Sequence, residues 1–362
     1  MAFAAELTDG PASQFRIPLG EANELQSVDV VNSPGVLDPP RATTDYRDPE
    51  RAHAAATVAQ MPRSTWRLRD LTLTLEAPLG AGIVNVTDDS MFEGARSVTP
   101  ERAIEDGLGL AEQGFDLLDV GAVAAGSRAP VTVEEESARL VPAIEGLADR
   151  SNLPVSADTY SPEVARRALE AGAVAINDIG GGTVEMLELA AETRCGLVLM
   201  HIEGPPRQGR EPRDYEDPVD HLRSWFAERI ESALERGVAE EQLVLDPGLD
   251  FDLSVADDLE VLRRLPELKQ LGRPLYVSLS RKDFLGAVLT GSWEDRADAS
   301  EREWATAAAV TLAVRGGADV LRLHDASALQ AMRIAAAIES SSRGALLAPE
   351  STKAPHAGGA HG

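Results

Sequence analysis

Eight short apolar segments recur along the chain, and each is followed by residues with a helical period of hydrophobic positions. The apolar segments are 82–86, 116–120, 154–157, 173–176, 196–200, 242–245, 274–279 and 319–323. The helical segments are 100–113, 132–147, 162–171, 184–193, 218–236, 255–265, 300–315 and 326–338. Short strands that are apolar on both faces, alternating with helices, predict a parallel (β/α)8 TIM barrel of the α/β class. An open doubly wound sheet is the alternative, but no GxGxxG motif accompanies the strands.

The segments on either side of these units have different patterns. Residues 66–75 alternate apolar and polar positions, which predicts a short strand or hairpin closing one end of the barrel. Residues 1–64 are rich in Pro, Gly, Asp, Ser and Ala without a regular period, so we predict a disordered N-terminal extension. Residues 343–362 have the composition of a flexible tail, and the predicted barrel domain spans residues 65–342.

Composition narrows the class of protein. The net charge of −26 argues against a nucleic-acid partner and against an anionic membrane surface. No apolar run reaches the length of a membrane span, and the N-terminus lacks a basic signal segment, so we expect a cytoplasmic protein. The single cysteine, Cys195, precedes an apolar run and is expected to be buried and unreactive.

Polar residues stand at the end of every predicted strand, where the active site of a TIM barrel lies. In chain order they are Asn85, Thr87, Asp88 and Asp89; Asp119; Asp158 and Thr159; Asn177 and Asp178; His201 and Glu203; Asp246; Ser278, Ser280, Arg281 and Lys282; and Arg322, His324 and Asp325. A solvated strand end explains one carboxylate, but it does not explain a ring of them.

The polar ring has two chemical halves. Asp158, Asn177, Asp246 and Lys282 combine acceptors with an ammonium donor, a set that suits a flat heterocycle bearing amino and carbonyl groups. Lys282 is one of only three lysines beside 31 arginines, which favours a specific need for an ammonium there.

The second half suits a phosphate or pyrophosphate. Arg322 and His324 have the i, i+2 spacing that turns two side chains to one face of a strand, although a salt-bridged pair at the rim is the alternative. Asn85 supplies an oxygen of the kind that helps to hold Mg²⁺ beside phosphates. A transition-metal site is not predicted, because His201 and His324 are far apart and lack a carboxylate at ligand spacing.

These motifs, in this order, resemble the pterin-binding barrel family that includes dihydropteroate synthase. They are Gly82-Ile-Val-Asn-Val-Thr-Asp-Asp-Ser90, Asp119-Val-Gly121, Ser156-Ala-Asp-Thr-Tyr160, Ile176-Asn-Asp178, Leu199-Met-His201, Asp246-Pro-Gly248 with Phe251, Ser280-Arg-Lys282 and Arg322-Leu-His-Asp325. The resemblance covers residues 79 to about 338.

The resemblance implies a transferase of folate biosynthesis that joins 4-aminobenzoate to 6-hydroxymethyl-7,8-dihydropterin diphosphate and releases pyrophosphate. It implies a pterin pocket of Asp158, Asn177, Asp246, Lys282 and Met200, with Lys282, Asp246 and Arg322 in catalysis. It assigns Mg²⁺ and pyrophosphate to Asn85, and pyrophosphate to Arg322 and His324. It assigns aminobenzoate to Ser280 and Phe251, and it also implies a homodimer.

The sequence departs from the family pattern beside the second substrate. Where the family has Gly-Gly-Glu-Ser-Thr-Arg-Pro-Gly, residues 121–131 read GAVAAGSRAPV, and we expect Arg128 to act for the missing loop residues. Asp250 and Asp252 replace glycines after the sixth barrel strand. The chain therefore looks like a divergent paralogue, and two alternatives stay open: a catalytically impaired pterin-binding homologue, or a folate-dependent methyltransferase.

Overall fold

A computed structural model describes residues 65–86, 99–123, 131–204, 206, 213 and 215–341. The predicted N-terminal extension, the predicted C-terminal tail and Arg128 lie outside these residues.

Eight strands of the described residues form one parallel sheet that curves into a barrel. They are β3 (Leu79–Asn85), β4 (Leu117–Gly121), β5 (Val155–Asp158), β6 (Ala175–Asp178), β7 (Gly196–Met200), β8 (Leu243–Asp246), β9 (Tyr276–Ser278) and β10 (Val320–Leu323). Neighbouring strands pair in the order β8-β7-β6-β5-β4-β3-β10-β9. The Leu245 N–H donates to the Pro274 carbonyl at 2.9 Å, which joins β8 to the segment entering β9. The predicted TIM barrel is confirmed.

Helices follow the strands and cover the outside of the sheet. Those of the described residues are α1 (Pro100–Glu112), α2 (Val133–Arg150), α3 (Pro162–Glu170), α4 (Val184–Thr193), α5 (Pro218–Glu235), α6 (Val255–Arg263), α7 (Leu265–Leu268), α8 (Asp283–Thr290), α9 (Glu303–Arg315) and α10 (Ala326–Ser341). Thr99, Ser161 and Asp217 accept hydrogen bonds from backbone N–H groups of the first turns, so each caps the helix that a proline then begins. The sequence pattern did not predict α8.

A hairpin of β1 (Thr65–Leu68) and β2 (Leu71–Thr74) packs against the amino-terminal end of the barrel. Trp66 and Leu68 are fully buried, and the Trp66 indole N–H donates to the Gln242 carbonyl at 3.0 Å. The predicted hairpin is therefore present. Its buried face is set mainly by β1, because Leu71, which the alternation placed on the apolar face, is 42% exposed.

The main core lies between the outer face of the sheet and the helices. Cys195 is buried in this core, and burial raises the pKa of its thiol to about 11, as expected for an unreactive cysteine. None of the helices in the described part of the chain combines the length and hydropathy needed to cross a bilayer.

Candidate functional site

A layer of polar side chains lines the barrel interior near the carboxyl ends of the strands. Successive residues of a strand face opposite sides of the sheet, so polar residues point inward while Val120, Ala157 and Ile176 join the outer core. Asp158 pairs in register with Asn177, and Met200 pairs with Asp246. The sheet thus brings together residues predicted from separate motifs.

Asp119 is the centre of the hydrogen bonding in this layer. Its carboxylate accepts from Ser156 Oγ at 2.5 Å, from Asn177 Nδ2 at 3.0 Å and from Arg322 Nε at 2.5 Å. Sequence reasoning noted Asp119 at a strand end but gave it no role. The sequence could have indicated a role for Asp119, because it is the one ionisable residue in β4.

Arg322 joins the carboxylates of two strands. Its Nε contacts Asp119 and its Nη2 lies 2.6 Å from Asp158 Oδ2, while its Nη1 amino group has no hydrogen-bond partner among the residues that the structure describes. Burial alone would lower the pKa of Arg322, but the two carboxylates raise it, so the guanidinium stays charged. Burial raises the pKa of Asp158, and the nearby Arg322 charge opposes that rise.

Two acceptor oxygens in this layer are buried without a hydrogen-bond partner among the described residues. They are Asp158 Oδ1 and Asn177 Oδ1, and their residues are direct neighbours across β5 and β6. Buried acceptors in native proteins are nearly always satisfied, so this pair requires donors from a molecule that enters the barrel.

Asp246 and Lys282 lie on the other side of the interior. Asp246 Oδ1 accepts the Gly248 N–H at 2.9 Å, and burial raises the pKa of Asp246 to about 6. Lys282 Nζ donates to the Leu249 carbonyl at 3.1 Å. The Lys282 charge acts to lower the pKa of both Asp246 and Asp158.

An apolar wall completes this part of the site. Met200 packs in one cluster with Ile179 and Ile202, and Phe251 and Tyr160 are half-buried against the same cluster. The Lys282 ammonium lies 4.6 Å from the centre of the Phe251 ring. Met200 and Phe251, predicted from different motifs, therefore border the same space as Lys282.

The predicted phosphate-binding residues are only partly described. The His324 backbone N–H donates to Ser280 Oγ at 3.3 Å, which places these two predicted residues side by side. Burial lowers the pKa of His324 to about 3, so its imidazole is neutral. Asn85 pairs in register with Gly121, which in turn pairs with Asp158. A side chain at Gly121 would press on Asp158, since an added Cβ would lie 3.2 Å from its Oδ2.

The two aspartates that replace family glycines are bonded to backbone N–H groups. Asp250 accepts from the N–H groups of Asp283 and Phe284 at 2.5 and 2.8 Å, at the start of α8. Asp252 Oδ2 accepts the Glu203 N–H at 2.6 Å. Their side-chain oxygens therefore have local hydrogen-bond partners at the edge of the site.

The structure also brings together three residues that sequence reasoning did not connect. His201, Glu203 and His221 place two imidazole nitrogens and a carboxylate oxygen within 4.8 Å of one another. The sequence did not predict this proximity, in which Glu203 Oε1 lies 3.8 Å from His201 Nε2.

A barrel with this inner layer defines a binding protein for a flat, nitrogen-rich ring, and comparison with known proteins identifies the family. A profile of the family described as pterin binding enzyme matches residues 81–324. The chain belongs to this family.

Curated relatives of this chain carry the name dihydropteroate synthase. The protein of Synechocystis sp. is 39% identical over 251 residues, covering 68% of this chain and 85% of the relative. The protein of Escherichia coli is 34% identical over 266 residues, covering 73% and 92%.

Solved structures agree with this result. A Xanthomonas albilineans dihydropteroate synthase with 4-aminobenzoic acid is 37% identical, with a TM-score of 0.67, and the match covers 77% of this chain and 99% of that one. The same organism's enzyme in complex with 7,8-dihydropteroate gives 36% identity and a TM-score of 0.65, covering 76% and 98%. The Yersinia pestis enzyme with a sulfonamide drug complex gives 32% identity and a TM-score of 0.71, covering 76% and 99%.

Proposed function

We infer that this protein is a transferase of folate biosynthesis that condenses 6-hydroxymethyl-7,8-dihydropterin diphosphate with 4-aminobenzoate and releases pyrophosphate. The observation that carries this inference is the pair of unpartnered acceptors, Asp158 Oδ1 and Asn177 Oδ1, in a barrel whose relatives are dihydropteroate synthases. An amino-pyrimidine ring offers N–H donors to such acceptors, and no donor in the described residues takes their place.

The pterin ring is proposed to lie in the barrel interior. Asp158 and Asn177 would accept from its N–H groups on one edge, and Asp246 would accept from another edge. Lys282 would donate to a ring nitrogen or to the carbonyl oxygen, while Met200 contacts the ring face. Asp119 holds Asn177 and Arg322 in place, so we assign it a positioning role.

The chemical step replaces a C–O bond with a C–N bond at the exocyclic methylene. The amine of 4-aminobenzoate attacks this carbon, the bond to the diphosphate breaks, and the amine loses a proton. Positive charge develops on the pterin methylene and negative charge on the leaving group, so the reaction needs oriented charges more than a strong base. The carboxylates of Asp158 and Asp246 would stabilise the first charge, and the free Nη1 of Arg322 would meet the second.

We propose that Mg²⁺ accompanies the diphosphate and that Asn85 supplies one of its oxygen ligands. Asn85 ends β3 at the level of Gly121, and its side-chain oxygen suits this hard cation. Bound there, the ion would offset charge on the leaving group. His324 is neutral, so its contribution would be a hydrogen bond to a phosphate oxygen rather than a full charge.

The second substrate would bind at the mouth of the barrel. Ser280 and Phe251 border this region, and the Phe251 ring offers a face on which the benzoate can stack. Arg128 is proposed to approach the bound substrates in place of the residues that the altered loop lacks. The electropositive contribution of Lys282 near Phe251 would favour an aromatic carboxylate there.

A pyrophosphate-release assay tests the proposed reaction. Purified protein with Mg²⁺ and the pterin diphosphate should release pyrophosphate only when 4-aminobenzoate is added, and dihydropteroate should form in equal amount. Tight pterin binding without such turnover would instead identify a catalytically impaired pterin-binding homologue. Methyl transfer from a methylated reduced folate, without dihydropteroate formation, would identify a methyltransferase.

A homodimer is proposed on the basis of an exposed apolar face. Trp304 and Leu312 on α9 are 82% and 54% exposed, and Ile334 and Ile338 on α10 are 62% and 57% exposed. The two helices pack side by side, and exposed apolar side chains on neighbouring helices are typical of interaction sites. A second copy of the chain is the proposed partner.

We also propose that the protein acts in the cytoplasm. The diphosphate substrate is highly charged and does not cross a lipid bilayer unaided, so the enzyme must work where that substrate is made. Fractionation of the source cells would test this, with activity expected in the cytoplasmic fraction and contradicted by activity confined to the membrane or exported fraction.

A further inference from the structure

A second cluster of polar side chains lies on the helix side of β7, away from the proposed pterin position. His201 and Glu203 follow the end of β7, and His221 lies in the first turn of α5. Within the described residues, this is the group of His, Cys, Asp and Glu side chains whose ligand atoms lie close enough together to share one ion.

The distances among these atoms suit a single ion. Glu203 Oε1 lies 3.0 Å from His221 Nε2 and 3.8 Å from His201 Nε2. Bonds of about 2.0–2.2 Å to a tetrahedral zinc ion hold neighbouring ligand atoms roughly 3–4 Å apart. The two imidazole nitrogens lie within 4.8 Å of each other, so all three atoms are close to the spacing that one ion requires.

The surrounding residues hold the three side chains on packed elements. The fully buried His201 ring packs edge-on against Trp225, which lies one turn after His221 on the same face of α5, with ring centres 5.1 Å apart. The Glu203 backbone N–H is fixed by Asp252 at 2.6 Å. Arg213 lies 3.9 Å from Glu203 Oε2, so the other oxygen, Oε1, is the one that faces both imidazoles. Ligands on rigid elements lower the cost of forming a site.

We propose that His201 Nε2, His221 Nε2 and Glu203 Oε1 form a binding site for Zn²⁺. Two imidazoles with one carboxylate are ligands that zinc accepts readily, whereas Mg²⁺ prefers oxygen ligands. Three protein ligands leave the fourth tetrahedral position for water. The site is separate from Asn85, where Mg²⁺ is proposed, and it does not depend on the proposed reaction.

Occupancy of this site would fasten the segment after β7 to α5. Ile202 lies between the ligands His201 and Glu203 in the sequence, and it packs with Met200 and Phe251 in the wall of the ring-binding space. The ion would therefore fix one wall of the pocket from behind, without contacting the substrates. This is a structural role that the sequence spacing, with ligands 18 residues apart, does not reveal.

Calorimetric titration of chelator-treated protein with Zn²⁺ tests the proposal. The wild-type chain should bind one ion tightly, and His221→Gln should lower the affinity by more than about 100-fold, because loss of a ligand costs more than loss of its outer partner. The control replaces the three histidines outside the described residues, His53, His356 and His361, with asparagine, and it should keep the tight site. Tight binding lost in this control but kept in His221→Gln would overturn the proposal.

A second pair of variants tests the carboxylate. Glu203→Gln keeps a hydrogen-bond acceptor for His221 but loses the charge, so its Zn²⁺ affinity should fall, whereas Glu216→Gln, in an exposed glutamate nearby, should match the wild type. Co²⁺ should give the visible absorption of a tetrahedral complex, and that absorption should be absent from His221→Gln. Thermal unfolding without metal confirms that the variants fold, and equal affinity across all of them would overturn the site.

Discussion

At the scale of single residues, Arg322 organises the site by meeting two carboxylates at once. Its contacts with Asp119 and Asp158 keep three buried charges in one network, and a buried charge without such a partner would be costly. Asp158 Oδ1 and Asn177 Oδ1 remain without a hydrogen-bond partner among the described residues, and these two atoms are the strongest evidence for a bound ligand. Binding groups and supporting groups are thus different atoms of the same side chains.

The raised pKa of Asp246, about 6, gives a prediction for stability against pH. The folded protein holds a proton on Asp246 between about pH 4 and 6, where the unfolded chain, with a pKa near 3.9, does not. This contribution to stability is complete below about pH 4 and is lost as pH rises through 6. Asp246→Asn should therefore gain up to about 3 kcal/mol relative to the wild type between pH 4 and pH 8. Urea unfolding across this range measures the gain, and a difference that does not change with pH would contradict it.

Lys282 gives a prediction for pterin binding. Lys282→Ala removes the donor near Asp246 and Asp158, and it should weaken pterin binding by about 1–3 kcal/mol, or roughly 5- to 150-fold. Lys269→Ala is the matched control, because Lys269 pairs with Asp319 at the opposite end of the strands and should leave affinity unchanged. Fluorescence titration with a pterin measures both, and equal affinities would remove Lys282 from the pocket.

At the scale of elements, the start of α8 is stabilised by Asp250, which stands where the family pattern has a glycine. Lys282, the residue before α8, provides no side-chain cap, and Asp250 accepts the first helical N–H groups instead. Asp250 has φ of 74°, a left-handed conformation that glycine adopts freely and that aspartate and asparagine tolerate better than most residues. The helix start and the position of Lys282 thus depend on a residue from the loop after β8.

Substitution of Asp250 should separate conformation from capping. Asp250→Gly keeps the left-handed backbone but loses the acceptor of two N–H groups, so it should cost about 0.5–1.5 kcal/mol of unfolding free energy. Asp250→Asn keeps both the conformation and an acceptor oxygen and should retain most of the stability. Denaturant unfolding of both variants decides the matter, and a glycine variant as stable as the wild type would show that the cap is unimportant.

The hairpin at the barrel end gives a third stability prediction. Trp66→Ala empties a fully buried position and should cost about 3–5 kcal/mol, while Trp66→Phe fills part of the space and should cost less. Leu71→Ala, at a position 42% exposed on the same hairpin, is the control and should change stability by less than about 0.5 kcal/mol. Similar losses for Trp66 and Leu71 would mean that the hairpin does not seal the core.

The sequence pattern predicted strands and helices well where the helical period and the strand period of hydrophobic positions are distinct. The eight barrel strands and the capped helices were found because apolar runs and Thr-Pro or Ser-Pro starts mark them. Helix α8 was missed because its sequence, DFLGAVLT, is apolar nearly throughout and contains a glycine, so no amphipathic period appears. The buried face of the hairpin was misjudged because packing on Gln242 and Gly196, rather than alternation, decides it.

Part of the site was predictable because the active site of a TIM barrel lies where the carboxyl ends of its strands meet. From this placement alone, the sequence predicted that Asp158, Asn177, Asp246 and Lys282 line one pocket. It could not show that Asp119 is the hub, because a strand end gives no information about hydrogen-bond partners. It could not show the approach of His221 to His201 either, because that depends on how α5 packs against β7.

At the scale of the whole molecule, the exposed face of α9 and α10 predicts assembly. Trp304→Glu should convert the proposed dimer to a monomer, because a charge in an apolar interface is costly to bury. Val184→Glu, at an exposed apolar residue on α4, is the control and should leave assembly unchanged. Analytical ultracentrifugation distinguishes the two states, and a wild-type monomer at micromolar concentration would rule out the dimer.

The contact between Trp66 and Gln242 also bears on the order in which the chain folds during synthesis. The tryptophan leaves the ribosome 176 residues before the glutamine whose carbonyl it contacts. Until that later segment emerges, the indole N–H lacks its native hydrogen-bond acceptor, and contacts so distant along a chain form slowly. Strand β1 is therefore made early but docks late, and a nascent chain stopped before β8 should expose this tryptophan to chaperones.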